Sequence, residues 1–179
     1  MTSFDFTNYT FSALVGVFSA IVGMSYPFIL QAIGRIDDMY GVTRFVAKFK
    51  QEKSYREFNG ILLLSVVFAI GDPFVLFASD CLFVVHLFVL TLHTVVILLL
   101  IMRLISLHKM ILVYYEPPKL LKHFEENVDE NLLEIFDLAI YSAKKENVSL
   151  FNACMVHVWE YLYTYNLNQS DDEKQRRNL

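Results

Sequence analysis

The sequence predicts an all-α integral membrane protein with three transmembrane helices, a long cytoplasmic helical extension and a C-terminal helical hairpin. Three observations lead there. Residues Cys81 to Met102 are 22 consecutive positions without Lys, Arg, Asp or Glu, and a helix of that length crosses a hydrocarbon core about 30 Å thick. The stretches 11–33 and 61–78 are nearly as apolar. Basic residues fall on only one side of the order that three spans impose.

The apolar excess is local. Hydrophobic residues make up 55% of the chain and charged residues 19%, but the excess sits in those three stretches. Residues 1–115 therefore read as the transmembrane unit, 117–168 as a cytoplasmic helical hairpin and 169–179 as a disordered tail. The first apolar stretch is expected to stay as an uncleaved span. No Lys or Arg occurs in the first ten residues, and the run is longer than the apolar core of a signal peptide.

Charge sets the expected topology. Residues 1–10 carry one acid and no base, whereas the connection after span one carries Arg35, Arg44, Lys48, Lys50, Lys53 and Arg56. Between spans two and three stand Ser79 and Asp80, and after span three come Arg103, Lys109, Lys119 and Lys122. The excess of Lys and Arg on cytoplasmic loops then places the N-terminus outside, the connection and the C-terminus in the cytoplasm, and a tight hairpin outside. The cell (inner) membrane is the expected location, and the lipid bilayer the first partner.

The elements follow in order. Span one carries Ser12, Gly16, Ser19, Ala20 and Gly23 at spacings of three and four, which puts small residues on one helical face. Such a face lets backbones approach closely in a membrane, either with the chain's own spans or with another copy. The connection over 40–58 is amphipathic, with Val42, Phe45, Val46 and Phe49 in one stripe. Its basic companions make Arg44, Phe45, Lys48 and Phe49 candidates for contact with interfacial lipid, or for packing on the cytoplasmic helices. In span two, Gly71-Asp72-Pro73 is expected to break the helix. Span three is expected to continue unbroken to about residue 115, where Pro117-Pro118 ends it.

Past the prolines the pattern predicts two helices. The first is capped by Asp129 or Asn131, runs to about Lys145 and shows Leu132, Leu133, Phe136, Ala139 and Ile140 as its apolar face. A turn at Glu146-Asn147 leads to the second, with Leu150, Phe151, Cys154, Met155, Val158, Trp159 and Leu162 along one side. Two helices cannot bury so many large side chains between themselves. Phe136, Phe151, Met155 and Trp159 are therefore expected to form an assembly or partner surface for a cytoplasmic protein or a second copy.

Ionisable groups inside a bilayer are costly and mark candidate sites. Asp72, His86 and His93 form the expected polar column, if the hairpin turns at Ser79-Asp80. Two roles fit it: an ion or proton path that titrates near neutral pH, or a structural clasp in which His93 bonds a backbone carbonyl. No Cys/His cluster has metal-ligand spacing, no cofactor motif is present, and no nucleophile–base pair marks an enzyme. From Lys119 onward acids outnumber bases, which gives nucleic acid no electrostatic support. The functional expectation is an oligomeric channel or pore-like protein, with a non-conducting anchor or sensor subunit as the alternative.

Overall fold

The computed structural model describes residues 3–78 and 83–177, with side chains placed principally over 16–70 and 87–165. There it is all-α: α1 (Ser3–Tyr40), α2 (Thr43–Gln51), α3 (Lys53–Ala78), α4 (Phe83–Tyr115), α5 (Pro117–Glu125), α6 (Val128–Lys144) and α7 (Val148–Arg177). The chain divides into two compact units. Unit 1 comprises Met1–Arg35 and Lys48–Ile111, and unit 2 comprises Ile36–Ala47 and Leu112–Leu179.

Two described helices are long and apolar enough to cross a membrane, over Gly16–Tyr40 and Leu87–Tyr115. Only 22% and 28% of their most apolar windows are buried, so most of that surface faces outward. This corrects the expected count of three. The third candidate, α3, opens on Lys53, Arg56 and Glu57, and does not meet that test over the described residues, its side chains past Ile70 lying outside them.

Unit 1 is three helices in alternating direction. Ser54 Oγ lies 3.1 Å from Ser106 Oγ, Glu57 pairs with Arg103, and Phe68 meets His93 edge-on. These pairs step in opposite directions along the chain, so α3 and α4 are antiparallel. Phe18 meets His93 and Phe28 meets His108, which step in the same direction and make α1 and α4 parallel. Gly71-Asp72-Pro73 does not interrupt α3, and α1 runs through Pro27. An interior proline removes one backbone bond, but the turns on either side keep theirs. The external turn at Ser79-Asp80 lies outside the described residues.

Unit 2 gathers its core around aromatic rings. The Tyr40 hydroxyl donates to the Tyr114 carbonyl at 2.7 Å. Tyr40 stands against Phe45 at 4.4 Å between centroids and against Tyr141 at 4.9 Å. Phe124 stacks on Phe45 and meets Tyr114 edge-on. Ile36, Phe45, Tyr114, Leu120, Phe124, Ile135 and Leu138 are fully buried. The expected hairpin is therefore a three-helix cluster of α5, α6 and α7. Pro117 ends α4 as expected and also starts α5 from its first position. The fixed φ of proline suits that place, and its missing N–H would be unpaired there anyway.

The α6–α7 turn matches its expected residues. The amides of Glu146 and Asn147 bond to the carbonyls of Ala143 and Ser142 at 3.1 and 2.9 Å, a Schellman ending. Asn147 caps α7 by accepting from the Leu150 amide at 3.1 Å. Glu146 takes a φ of 57°, where a side chain is strained and glycine is not. Glu146→Gly is expected to stabilise the fold by about 0.5 kcal/mol, strain relief exceeding the added chain entropy. Urea unfolding in mild detergent would show it as a raised midpoint. The tail expected to be disordered from residue 169 instead continues α7 to Arg177. No proline or glycine interrupts this stretch, and charged residues such as Glu173, Lys174 and Arg177 form helix readily.

Candidate functional site

Within the apolar stretches of unit 1, five polar side chains bond to carbonyls of their own helices. His93 is buried, with Phe18 on one side and Phe68 on another, each at 6.4 Å. Its Nδ1 lies 3.3 Å from the Val89 carbonyl, one turn back. With the proton on Nδ1 the ring donates to that oxygen. Ser25, Ser65, Thr91 and Thr94 do the same, donating to Ile21, Ile61, Leu87 and Leu90 at 2.6–2.9 Å. In apolar surroundings this satisfies a polar group without a partner helix. The structure thus places one member of the expected column, His93, at the meeting point of α1, α3 and α4. The side chains of Asp72 and His86 lie outside the described residues.

The small-residue face of α1 is open. Phe18, Ser25, Ile29 and Ala32 are buried, and Gly16, Ser19, Ala20 and Gly23 lie on the opposite side of the helix, all exposed. A Cβ added at Gly16 or Gly23 would meet nothing within 4 Å. Close approach of α3 or α4 therefore does not account for these small residues. Ser12 lies outside the described side chains.

The amphipathic stripe of α2 faces protein, which favours the second of its two expected roles, packing, and corrects contact of Phe45 and Phe49 with lipid. Phe45 and Phe49 are fully buried. Phe45 belongs to the aromatic core of unit 2, and Phe49 meets Tyr55 at 5.5 Å in unit 1. Arg44 is bound to Asp137 at 2.6 Å, and Lys48 is half-buried. The reason is that α2 is short and its large rings have aromatic partners to cover them.

In unit 2 the face of α6 is rotated from the expected one, whereas α7 buries Leu150, Cys154 and Val158 from its expected side and leaves Trp159 and Leu162 exposed. α6 buries Asn131, Glu134, Ile135, Leu138, Ala139 and Ser142 and exposes Leu133, Phe136 and Ile140. At about 100° per residue these exposed positions form one stripe opposite the buried face. α7 buries Leu150, Cys154 and Val158 and exposes Val156, Trp159 and Tyr163 in a second stripe, again opposite. Phe136 is 46% exposed and Trp159 67%, while Phe151 and Met155 are half-buried. Leu133, Ile140, Val156 and Tyr163 join Phe136 and Trp159 outside. The sequence reading grouped Leu133, Phe136 and Ile140 without their outward direction, and missed Val156 and Tyr163. Their three- and four-residue spacing was the available signal.

Two further features carry chemistry. His157 Nε2 pairs with Glu125 at 2.9 Å, beside a cleft of about 430 Å³ lined by Asp129, Glu160 and Tyr161. Cys154 is buried, and desolvation pushes its thiol up to about 11, with Glu125 adding to the shift. Below that value the native thiol stays protonated and unreactive, whereas an unfolded thiol ionises near 8.5. In a Cys81→Ser background, maleimide labelling of Cys154 at pH 8 is expected to be at least tenfold slower folded than unfolded. Among the described residues no three His, Cys, Asp or Glu side chains are grouped to hold a metal ion.

Comparison with protein-family models, with curated proteins and with solved structures finds no match to this chain.

Proposed function

We propose that this chain is a polytopic membrane anchor whose unit 2 recruits a cytoplasmic protein partner. The observation that carries this reading is the pair of outward apolar stripes on α6 and α7, with Trp159 and Phe136 at their centres. Solvated helices normally show water a charged face, and an apolar stripe opposite the buried one marks an interaction surface. Two apolar helices with outward-facing surfaces support the membrane setting. The basic residues that flank them support an inward-facing unit 2. The local satisfaction of His93, Thr91 and Thr94 favours a structural role for these groups over an ion path. No step of chemistry is assigned to the chain.

The second reading is an oligomeric pore, and the open small-residue face of α1 favours it. Such a face is how membrane helices associate closely, and three helices alone are too few to enclose water. The mass in mild detergent, by light scattering with detergent subtracted, separates the two readings. A monomer or dimer that stays ion-tight in liposomes and co-purifies with a stoichiometric protein is the expected outcome. A closed assembly of four or more copies that conducts ions would replace the anchor with the pore.

A further inference from the structure

We infer that a groove between α1 and α4 in unit 1 is a binding site for one anionic phospholipid of the cytoplasmic leaflet. The site rests on the membrane reading above and adds a ligand to it. The groove encloses about 650 Å³ and is lined by Ile21, Met24, Ser25 and Phe28 from α1 and by Leu104, Ile105, His108 and Lys109 from α4. Its walls are almost wholly apolar. Ser25, the one hydroxyl among them, has its proton committed to the Ile21 carbonyl.

The groove is graded along its length. Because α1 and α4 run parallel, Ile21 and Leu104 mark one end and Phe28, His108 and Lys109 the other, with Phe28 and His108 in ring contact at 5.9 Å. From Ile21 to Phe28 is about 10 Å of helix. The apolar end lies in the middle of the first apolar stretch, and the basic end lies toward Arg35, where the charged residues begin. An acyl chain fits the first end. A phosphate fits the second, where Lys109 supplies a compact positive charge and His108 a ring N–H. No carboxylate lines the groove to repel it. Basic pockets between membrane helices on the cytoplasmic side are where lipid head groups bind.

This charge complementarity separates a phospholipid from the other occupants. A second copy of α1 or α4 would bring Ile, Leu and Phe against the apolar end but would leave Lys109 facing hydrocarbon. A zwitterionic lipid would bring a positive group beside Lys109. Both His108 and Lys109 are exposed, so their change does not disturb the core.

The test uses the full chain in phosphatidylcholine vesicles carrying a trace of phosphatidylglycerol with a photoactivatable acyl chain. A parallel sample carries the same label on phosphatidylcholine. Labelled peptides are mapped by mass spectrometry. The anionic probe is expected to label 21–28 and 104–109 at least threefold more than the zwitterionic one. Lys109→Gln and Lys109→Glu should erase that preference, and Ile105→Trp should lower labelling of the groove by both probes. Equal labelling by the two probes would overturn the site and leave only bilayer lipid passing over it. Preference that survives Lys109→Glu would overturn it too. So would efficient disulfide formation between copies of an Ile105→Cys variant, because a second chain would then cover the groove. The outward residues Leu98 and Leu99 serve as the insertion control. Labelling there without head-group preference in the groove defeats this site alone, whereas no labelling at either place defeats the membrane reading and the site with it.

Discussion

Phe45→Ala is expected to destabilise unit 2 by about 3–5 kcal/mol, the usual cost of emptying a fully buried phenylalanine site. Phe45 has no exposed surface. Its ring lies 4.4 Å from Tyr40 and stacks on Phe124 at 6.2 Å, so truncation removes two ring contacts and leaves a cavity. The Tyr40 ring is anchored by its bond to the Tyr114 carbonyl and is not free to collapse into the space. Phe45→Leu keeps most of the volume and should cost far less. Amide hydrogen exchange in detergent measures both: protection in α5, α6 and α7 should fall by two or more orders of magnitude for Ala. Unchanged exchange would mean that α2 does not complete this core.

The same residue shows what the sequence could and could not disclose. Its place in an amphipathic stripe was plain from the spacing of Val42, Phe45, Val46 and Phe49. What the stripe faces was not, because an apolar face with basic neighbours suits an anionic lipid surface and an aromatic core alike. The partners that decide it, Phe124 against Phe45 and Asp137 against Arg44, stand about eighty and ninety residues away in the chain. Local signals were legible: the stop at Pro117, the turn at Glu146-Asn147, the Asn147 cap and the unbroken run of α4 all depend on neighbours in sequence. Helix rotation was not. α6 has apolar residues on two opposite sides, Ile135 with Leu138 and Phe136 with Ile140, and periodicity alone does not choose which pair turns inward. α5 was missed for a related reason, since a proline pair ends one helix and begins another with the same residues.

The candidate site divides in the same way. His93 was legible as an ionisable group in an apolar run, and its bond to the Val89 carbonyl is the structural alternative weighed for it. Its enclosure by Phe18 and Phe68 needed three helices in register, which no window of one helix contains. The Glu57–Arg103 pair has the same character. Neither residue stands out in sequence, yet the pair joins α3 to α4 where their apolar stretches meet the charged connection.

Phe136→Asp combined with Trp159→Asp is expected to abolish partner recruitment while leaving the fold intact. A tryptophan or phenylalanine at the centre of an exposed apolar stripe can carry a large share of interface energy, about 2 kcal/mol or more for a central anchor. That is roughly a 30-fold rise in Kd for each, and more once a carboxylate must be desolvated against an apolar partner. Both side chains point away from the core of unit 2, since the buried faces of their helices are those of Leu138 and Val158. The double variant should therefore unfold within about 0.5 kcal/mol of the parent. Leu138→Asp makes the contrast: it puts a charge among fully buried residues and should lose binding only because unit 2 unfolds. The measurement is the stoichiometry of the co-purified partner, with hydrogen exchange of α6 and α7 as the control for folding. Full partner retention by the double variant would remove the recruitment surface from α6 and α7 and leave the open face of α1 as the main interaction surface of the molecule. Loss of the partner together with native exchange would tie recruitment to two side chains that the fold holds outside its core.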